Sequence, residues 1–328
     1  MERPVILLIK EIYYPVLATI GFPANMMTIV VLVRGNCGLS KCISVYMLAM
    51  ATADLLVIIN NVIVYSILMY HFPLSFLSHT HICKFIFYMG CVILNISVWF
   101  TVAFTFDRFA IICCPKFKTK YCTVRIPVTI ITVIFVFMWI KDFPIFFAYE
   151  HEHIIKNVEW NCQSSVTFFS SIAGLAYIWF YSICLVWLPF ILIGLFNALT
   201  IRHILVTSKA RRGLRAHTFD NHYDPEMKNR MKSIVLLFAI SGSFIMLWLT
   251  TVVNLVTTKV TNPNYYRGDL GNPTYIIVET GAMLRYLSSC SNTCIYAVIQ
   301  RKFREEFLGI LKLTCAFIVK NLKVKRDD

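Results

Sequence analysis

Charge is scarce in this sequence: Asp, Glu, Lys and Arg make up 15% of its 328 residues, against 58% hydrophobic. A soluble protein of that length could not hide so much apolar side chain in one or two cores, so a bilayer is the natural solvent. Catalytic signatures are missing as well. There is no zinc-type His spacing, no Ser-His-Asp order with supporting motifs and no phosphate-cradling Gly loop, which removes the usual grounds for reading an enzyme. No long-period repeat relates two halves, and no span has the Gly/Pro-interrupted pairing of a midplane transport site. A transporter or channel is therefore the weaker alternative. The only Asn-x-Ser/Thr sequon, Asn95-Ile96-Ser97, falls inside an apolar span, out of reach of glycosylation. No small-residue cleavage site follows the start of the first apolar run, so no removable signal peptide is expected.

What is present is a set of long apolar segments and many aromatics (26 Phe, 16 Tyr, 6 Trp), as expected where spans end in aromatic belts. Crossing ~30 Å of hydrocarbon takes about 20 helical residues. Suitable segments run over residues 11–34, 44–70, 83–114, 126–149, 174–205, 232–258 and 274–299. These predict an all-α membrane protein, a seven-transmembrane helix bundle, with residues 1–10 as a short extracellular N-terminus and 11–299 as the transmembrane domain. Segment 206–231 is polar and basic, and a mobile, solvated loop is expected there. With the N-terminus outside, 23 of the 31 Lys and Arg fall at or beyond the cytoplasmic ends against eight acids, while the outer side balances at eight of each. The net charge of +14 thus reports orientation beside anionic lipid rather than nucleic-acid binding. A multi-pass plasma-membrane protein with a cytoplasmic C-terminus follows.

Residues 300–328 complete the chain. Phe303, Phe307, Ile310, Leu311 and Leu313 recur at helical spacing with Arg304, Glu305 and Glu306 opposite, predicting a short amphipathic helix lying in the interface. Cys315 near its end is a candidate for lipidation, a plain thiol being the alternative. Of the 12 cysteines, only Cys83 and Cys162 fall at the outer surface, where oxidising conditions permit one bridge between them or leave two free thiols.

Polar residues inside the spans need partners or a task, since an acid at mid-bilayer costs about 3 kcal/mol even on insertion scales. Asp54 is such an acid. Asn25, Ser97, Ser288, Ser289 and Asn292 lie at comparable depth, suggesting one hydrogen-bonded cluster in which a sodium ion can supply the missing charge; a protonated Asp54 is the alternative. Arg285 is the least expected residue, with three readings: neutralising Asp54, meeting an anionic group on a ligand, or snorkelling outward. Lys141 and Asp142 raise the same question more weakly, because neighbours ~100° apart are not expected to share the interior face. Pro23, Pro144, Pro189 and Pro273 mark bends, and Pro189 removes one N–H from the fifth span.

In order across seven spans, these residues resemble the rhodopsin-like G-protein-coupled receptors, over about residues 11–315. Asn25 matches the first-span Asn, Asp54 the second-span Asp and Cys83 the third-span disulfide partner. Asp107-Arg108-Phe109 matches the Asp-Arg-Tyr motif, Trp139 the fourth-span Trp and Pro189 the fifth-span Pro. Phe244 and Trp248 match the sixth-span Phe-x-x-x-Trp switch, and Asn292 with Tyr296 matches Asn-Pro-x-x-Tyr. More narrowly, GFPANMMTIVVL, VWFTVAFTFDRF and LLFAISGSFIMLW resemble the orphan group called probable G-protein-coupled receptor 139.

The resemblance implies a heterotrimeric G protein, of the Gq class in the narrower group, and an extracellular aromatic amino acid or peptide as partners. It implies no cofactor beyond sodium as an allosteric ligand. Arg285, Gly90 and Thr251 are candidate ligand contacts, and Asp107 and Arg108 are expected at the inner mouth of the third span, matched to each other and to cytoplasmic water. Departures from the pattern are Phe109 for Tyr, Thr250 and Thr293 for Pro, Asn197 for a fifth-span Tyr, and Arg230 for the sixth-span acid that locks the third-span Arg in some members. Gly90 stands where amine receptors carry Asp, which argues against a monoamine. A receptor-like protein that no longer signals is the alternative that the two lost prolines raise.

Overall fold

The structure is a computed structural model that describes residues 5–35, 37–114, 123–215, 225–261 and 273–313. Seven long helices dominate it: α1 (Val5–Arg34), α2 (Lys41–His71), α3 (Thr80–Cys113), α4 (Arg125–Asp142), α5 (Ile172–Ser182 continuing through Ile183–Trp187 into Leu188–Arg215), α6 (Pro225–Thr261) and α7 (Pro273–Ile299). An eighth, α8, covers 301–313. α3 is the central post and packs on α2, α4, α5 and α6, while α7 packs chiefly on α6 and also on α1 and α2.

Six helices, α1 to α6, are each long and apolar enough to cross a membrane. α7 does not reach that mark by itself. Its length suffices, but Arg285, Ser288, Ser289, Asn292 and Thr293 turn it into a polar stripe, of which Ser289, Asn292 and Thr293 are buried. A helix of that kind is at home in the bilayer only when its neighbours cover the stripe.

Several sequence expectations shift at the boundaries. α1 already begins at Val5, inside the segment expected to be a terminus, and Lys10 of its second turn bridges Glu279 of α7 at 2.8 Å. The expected loop 206–231 is largely helical. α5 runs on to Arg215 and α6 starts at Pro225, so only 216–224 fall outside the described residues. The Lys, Arg and Ala of 209–215 are good helix formers, and a proline at the first helical position sacrifices no hydrogen bond.

Two helices widen locally. α2 takes π geometry over Ile58–Leu68, and α5 does so over Ile183–Trp187, immediately before Pro189. A proline cannot donate to the carbonyl one turn back, and the ladder adapts by a wider turn. Pro144 falls in a tight 3-10 turn, Phe143–Phe147, that ends α4.

Between α4 and α5 the chain forms a small β lid. β1 (Tyr149–Glu150) pairs antiparallel with β4 (Gln163–Ser164), and β2 (His153–Ile155) with β3 (Val158–Trp160). The turn at Lys156 and Asn157 has positive φ at both positions (51° and 59°), the primed geometry that suits a two-residue hairpin. The lid is fastened to the outer end of α3. Cys83 and Cys162 are disulfide-bonded, Asn161 N–H donates to the Ser78 carbonyl at 2.6 Å, Thr80 Oγ1 donates to the Asn161 carbonyl at 2.9 Å, and Trp160 stacks on His79 at 4.4 Å. Of the two readings of these cysteines, the bridge is the one realised.

α8 folds back under the bundle. Phe303 is fully buried, 5.8 Å from the Tyr296 ring, and Phe307 and Ile310 pack on the same inner core; Leu311 and Leu313 are exposed.

Candidate functional site

The bundle holds a cavity of about 330 Å³ beneath the β lid. Its walls are rich in aromatic rings, with Tyr65 of α2, Phe87 of α3, Tyr149 and Phe169 of the lid segment, Tyr181 of α5 and Tyr286 of α7. A second space of about 470 Å³ opens outward between α1, α2 and α7, and Tyr65 and Tyr286 line both. Polarity enters this cavity through Asn60 and Asn61 of α2 and through Arg285 of α7, the sole charged residue among the described residues of its lining.

Two of the three candidate ligand contacts, Arg285 and Gly90, line this cavity; Thr251 does not. Thr251 is buried between α6 and α7, its hydroxyl 3.5 Å from the Gly281 carbonyl. Gly90 has a packing task of its own. A Cβ there would come 2.7 Å from Asn61 Oδ1, and Asn61 Nδ2 donates to the Gly90 carbonyl at 3.3 Å. Asn60 Nδ2 donates to the Ile86 carbonyl at 3.0 Å and to Asn61 Oδ1 at 2.8 Å. The bare α3 backbone at Gly90 is what lets these amides close in, so the aspartate of amine receptors would collide here as well as being absent. The Asn pair and the lid aromatics escaped the sequence reading. Two adjacent amides inside an apolar span were the signal that could have found the first.

Below the cavity lies a polar centre. Asp54 is 1% exposed; Ser97 Oγ donates to its Oδ1 at 2.7 Å and Asn292 Nδ2 to its Oδ2 at 2.8 Å. Ser288 and Ser289 border the same small space, about 10 Å³, with Ser97 and Asn292. Asn25 joins from α1 through Ser289, its Nδ2 donating to that backbone carbonyl at 2.9 Å. The structure thus brings all six candidate residues of the cluster together. One turn further in, the hydroxyls of Thr28 and Thr293 lie 2.9 Å apart, so the residue replacing the seventh-span proline ties α7 to α1. For a sodium ion, the carboxylate and hydroxyl oxygens are suitable hard donors, and the space has room for one water-sized occupant. Arg285, lining the same space, opposes a further cation.

Arg285 and Leu94 line both the outer cavity and this polar centre, and Phe244 and Trp248 close its other side. The two rings stack at 5.2 Å, Phe190 lies 5.6 Å from Phe244 beside Pro189, and the Arg285 guanidinium sits 5.9 Å from the Trp248 ring centre. Among the described residues no carboxylate stands within ion-pair distance of Arg285, and its buried Nε has no hydrogen-bond partner. Direct pairing with Asp54, one of its three sequence readings, is therefore not how its charge is met.

Lys141 and Asp142 correct a sequence expectation. Both are buried (7% and 0% exposed) and form an ion pair, with Asn95 Nδ2 donating to Asp142 Oδ2 at 3.0 Å and Lys141 Nζ 5.0 Å from the Tyr181 ring centre. The helix ends at Asp142, and a lysine stem is long enough to swing round to the interior face.

At the inner end of α3, Asp107 and Arg108 are bonded to each other, with the guanidinium 5.8 Å from the Phe104 ring centre. Expected to meet cytoplasmic water, they are instead enclosed, at 1% and 2% exposure. Phe109 stacks on Phe196 of α5 at 5.5 Å, and Ile112 of α3 packs with Ile234 and Leu237 of α6 just beyond. That apolar seal, invisible in any one segment, shuts the pair off from the inner face. Among the described residues, the buried Tyr296 hydroxyl has no hydrogen-bond partner, nor does Oδ1 of Asn197. The Arg230 side chain and Cys315 lie outside the described residues.

A ligand-sized outer cavity, a polar centre beneath it and an ion pair behind an inner seal, all within seven helices, define a membrane receptor bundle. The family profile described as 7 transmembrane receptor (rhodopsin family) matches residues 24–296, and the chain belongs to that family. It is a G-protein-coupled receptor rather than an enzyme, and so a multi-pass protein of the plasma membrane whose partners are an extracellular ligand and a G protein.

Proposed function

We propose that the ligand binds in the aromatic cavity under the β lid and that its binding favours an arrangement open on the cytoplasmic side, where a heterotrimeric G protein of the Gq class is activated. The observation that carries this reading is the continuity from cavity to switch: Arg285 and Leu94 border the outer cavity and also the small space closed by Phe244 and Trp248. A ligand that prefers one packing of that stack shifts a pre-existing equilibrium by its differential affinity. Opening then means parting Ile112 from Ile234 and Leu237, which uncovers Asp107 and Arg108 between the inner ends of α3, α5 and α6. A G-protein helix would enter that groove with Arg108 at its floor.

The N-terminus is extracellular and the C-terminus cytoplasmic in this reading, in keeping with the basic inner ends. An aromatic amino acid or peptide is the ligand class, supported by the aromatic lining and by the narrower likeness to the probable G-protein-coupled receptor 139 group. A sodium ion at Asp54, Ser97, Ser288 and Ser289 would be an allosteric ligand favouring the closed arrangement. The test is a metabolite and peptide screen on cells expressing the protein, read by G-protein dissociation. Arg108→Ala is expected to abolish the response per receptor at the cell surface, with surface expression measured alongside. Full signalling by that variant, or robust solute flux across vesicles holding the purified protein, would overturn the reading.

A further inference from the structure

Among the described residues, the lining of the outer cavity holds one charge, Arg285, and no acid to balance it. Asp54, the buried acid of the polar centre below, is already served at both oxygens by Ser97 and Asn292. Asn292 lies seven residues along α7 from Arg285, a rise of about 10 Å along the helix axis. The other polar side chains among the described residues of the lining, Asn60, Asn61 and the tyrosines with Tyr181 among them, are neutral. A half-buried cation without a counter-charge has lost part of its hydration, and an arriving anion makes that loss good as affinity.

We propose that Arg285 is the anion-recognition residue of the ligand cavity: the ligand carries a single carboxylate that pairs with the guanidinium, on an apolar, ring-bearing body that fills the aromatic walls. A single carboxylate is called for because one cation is found among the described residues of the lining, and with no acid among them the carboxylate, not an amine, carries the recognition. A planar carboxylate also matches the guanidinium fork, which binds it by two parallel hydrogen bonds.

The pairing has a route to the switch. Arg285 lies over the Trp248 ring, and Trp248 stacks on Phe244. Drawing the guanidinium outward onto a carboxylate withdraws the cation from the ring, so the charge of the ligand acts on the stack as well as on affinity. This inference deepens the reading of the cavity as the ligand site and rests on it.

The experiment uses matched acids and amides, which need no mutation. Full-length receptor in lipid nanodiscs is assayed for thermal stabilisation by 3-phenylpropionate, indole-3-acetate and N-acetylphenylalanine, each at millimolar concentration beside its primary amide, with phenethylamine as a cation. G-protein nucleotide exchange is measured in parallel. The acids are expected to stabilise the receptor at concentrations at least about tenfold below their amides, a typical margin for one charged hydrogen-bonded pair. Arg285→Gln should erase that margin and Arg285→Lys should keep part of it. Amides equal to acids, acids that stabilise Arg285→Gln as well as the wild type, or acids that fail on the wild type would each overturn the proposal. Exchange driven by a neutral or cationic compound with no acid preference would overturn it while leaving the receptor reading intact. Acid-selective stabilisation without exchange would uphold the anion site and sink the signalling reading.

Discussion

Two arginines at opposite depths of the bundle carry the same charge under opposite conditions. Arg108 touches its own neighbour, Asp107, and both are sealed from water by the Ile112, Ile234 and Leu237 cluster. Arg285 is only half-buried, borders a cavity and has no carboxylate in reach among the described residues. A paired charge in a closed place holds a structure shut, while an unpaired charge beside an open space waits for something to enter. The Lys141 and Asp142 pair, buried and supported by Asn95, follows Arg108 rather than Arg285.

The comparison breaks most sharply at the inner pair. Arg108→Leu leaves the Asp107 carboxylate enclosed and alone, which is expected to cost about 3–5 kcal/mol of stability as well as all G-protein activation. Adding Asp107→Asn should restore most of the melting temperature and none of the signalling. If the double variant melts no higher than the single one, the pair is not what the enclosure depends on.

At the outer position the sign reverses. Arg285→Met replaces an unbalanced cation with a similar volume of apolar side chain, and the ligand-free receptor should gain about 1–3 kcal/mol. Thermal unfolding in nanodiscs without ligand measures this; a loss of stability there would mean that the guanidinium has a structural partner after all. The smallest effect belongs to a third arginine, exposed on α8. Arg301 bridges Glu305 at 2.8 Å one helical turn on, with both side chains more than half in solvent. Arg301→Ala should shift stability by about 0.3–0.5 kcal/mol, diminishing further in high salt, as double-mutant cycles would report.

Much of this architecture was legible in the chain. Apolar runs long enough to span a bilayer are a local property, so segments near 11–34, 44–70 and 83–114 each announce a helix without help from the others. The polar cluster was legible by depth: Asn25, Asp54, Ser97 and Asn292 sit at similar distances along their helices, and parallel or antiparallel packing brings equal depths together. Lys141 and Asp142 were misjudged because the argument from ~100° steps ignores side-chain length and the end of the helix. The β lid was missed because strands of two or three residues carry almost no periodic signal of their own. Asn60 and Asn61 were overlooked because their partner is a bare stretch of backbone at Gly90, on another helix.

Taken alone, the sequence determined the solvent, the number of long helices and the depth of each polar residue, because hydropathy and rise per residue act along the chain. It left open which charges would be matched. Whether Arg108 meets water or Arg285 meets Asp54 depends on side chains from helices far apart in sequence and on the seals and cavities they form between them. Charge compensation at mid-bilayer is a matter of a few ångströms across helices. Only the packed bundle fixes those distances, and it enclosed one arginine with its partner and set the other at the edge of an open cavity.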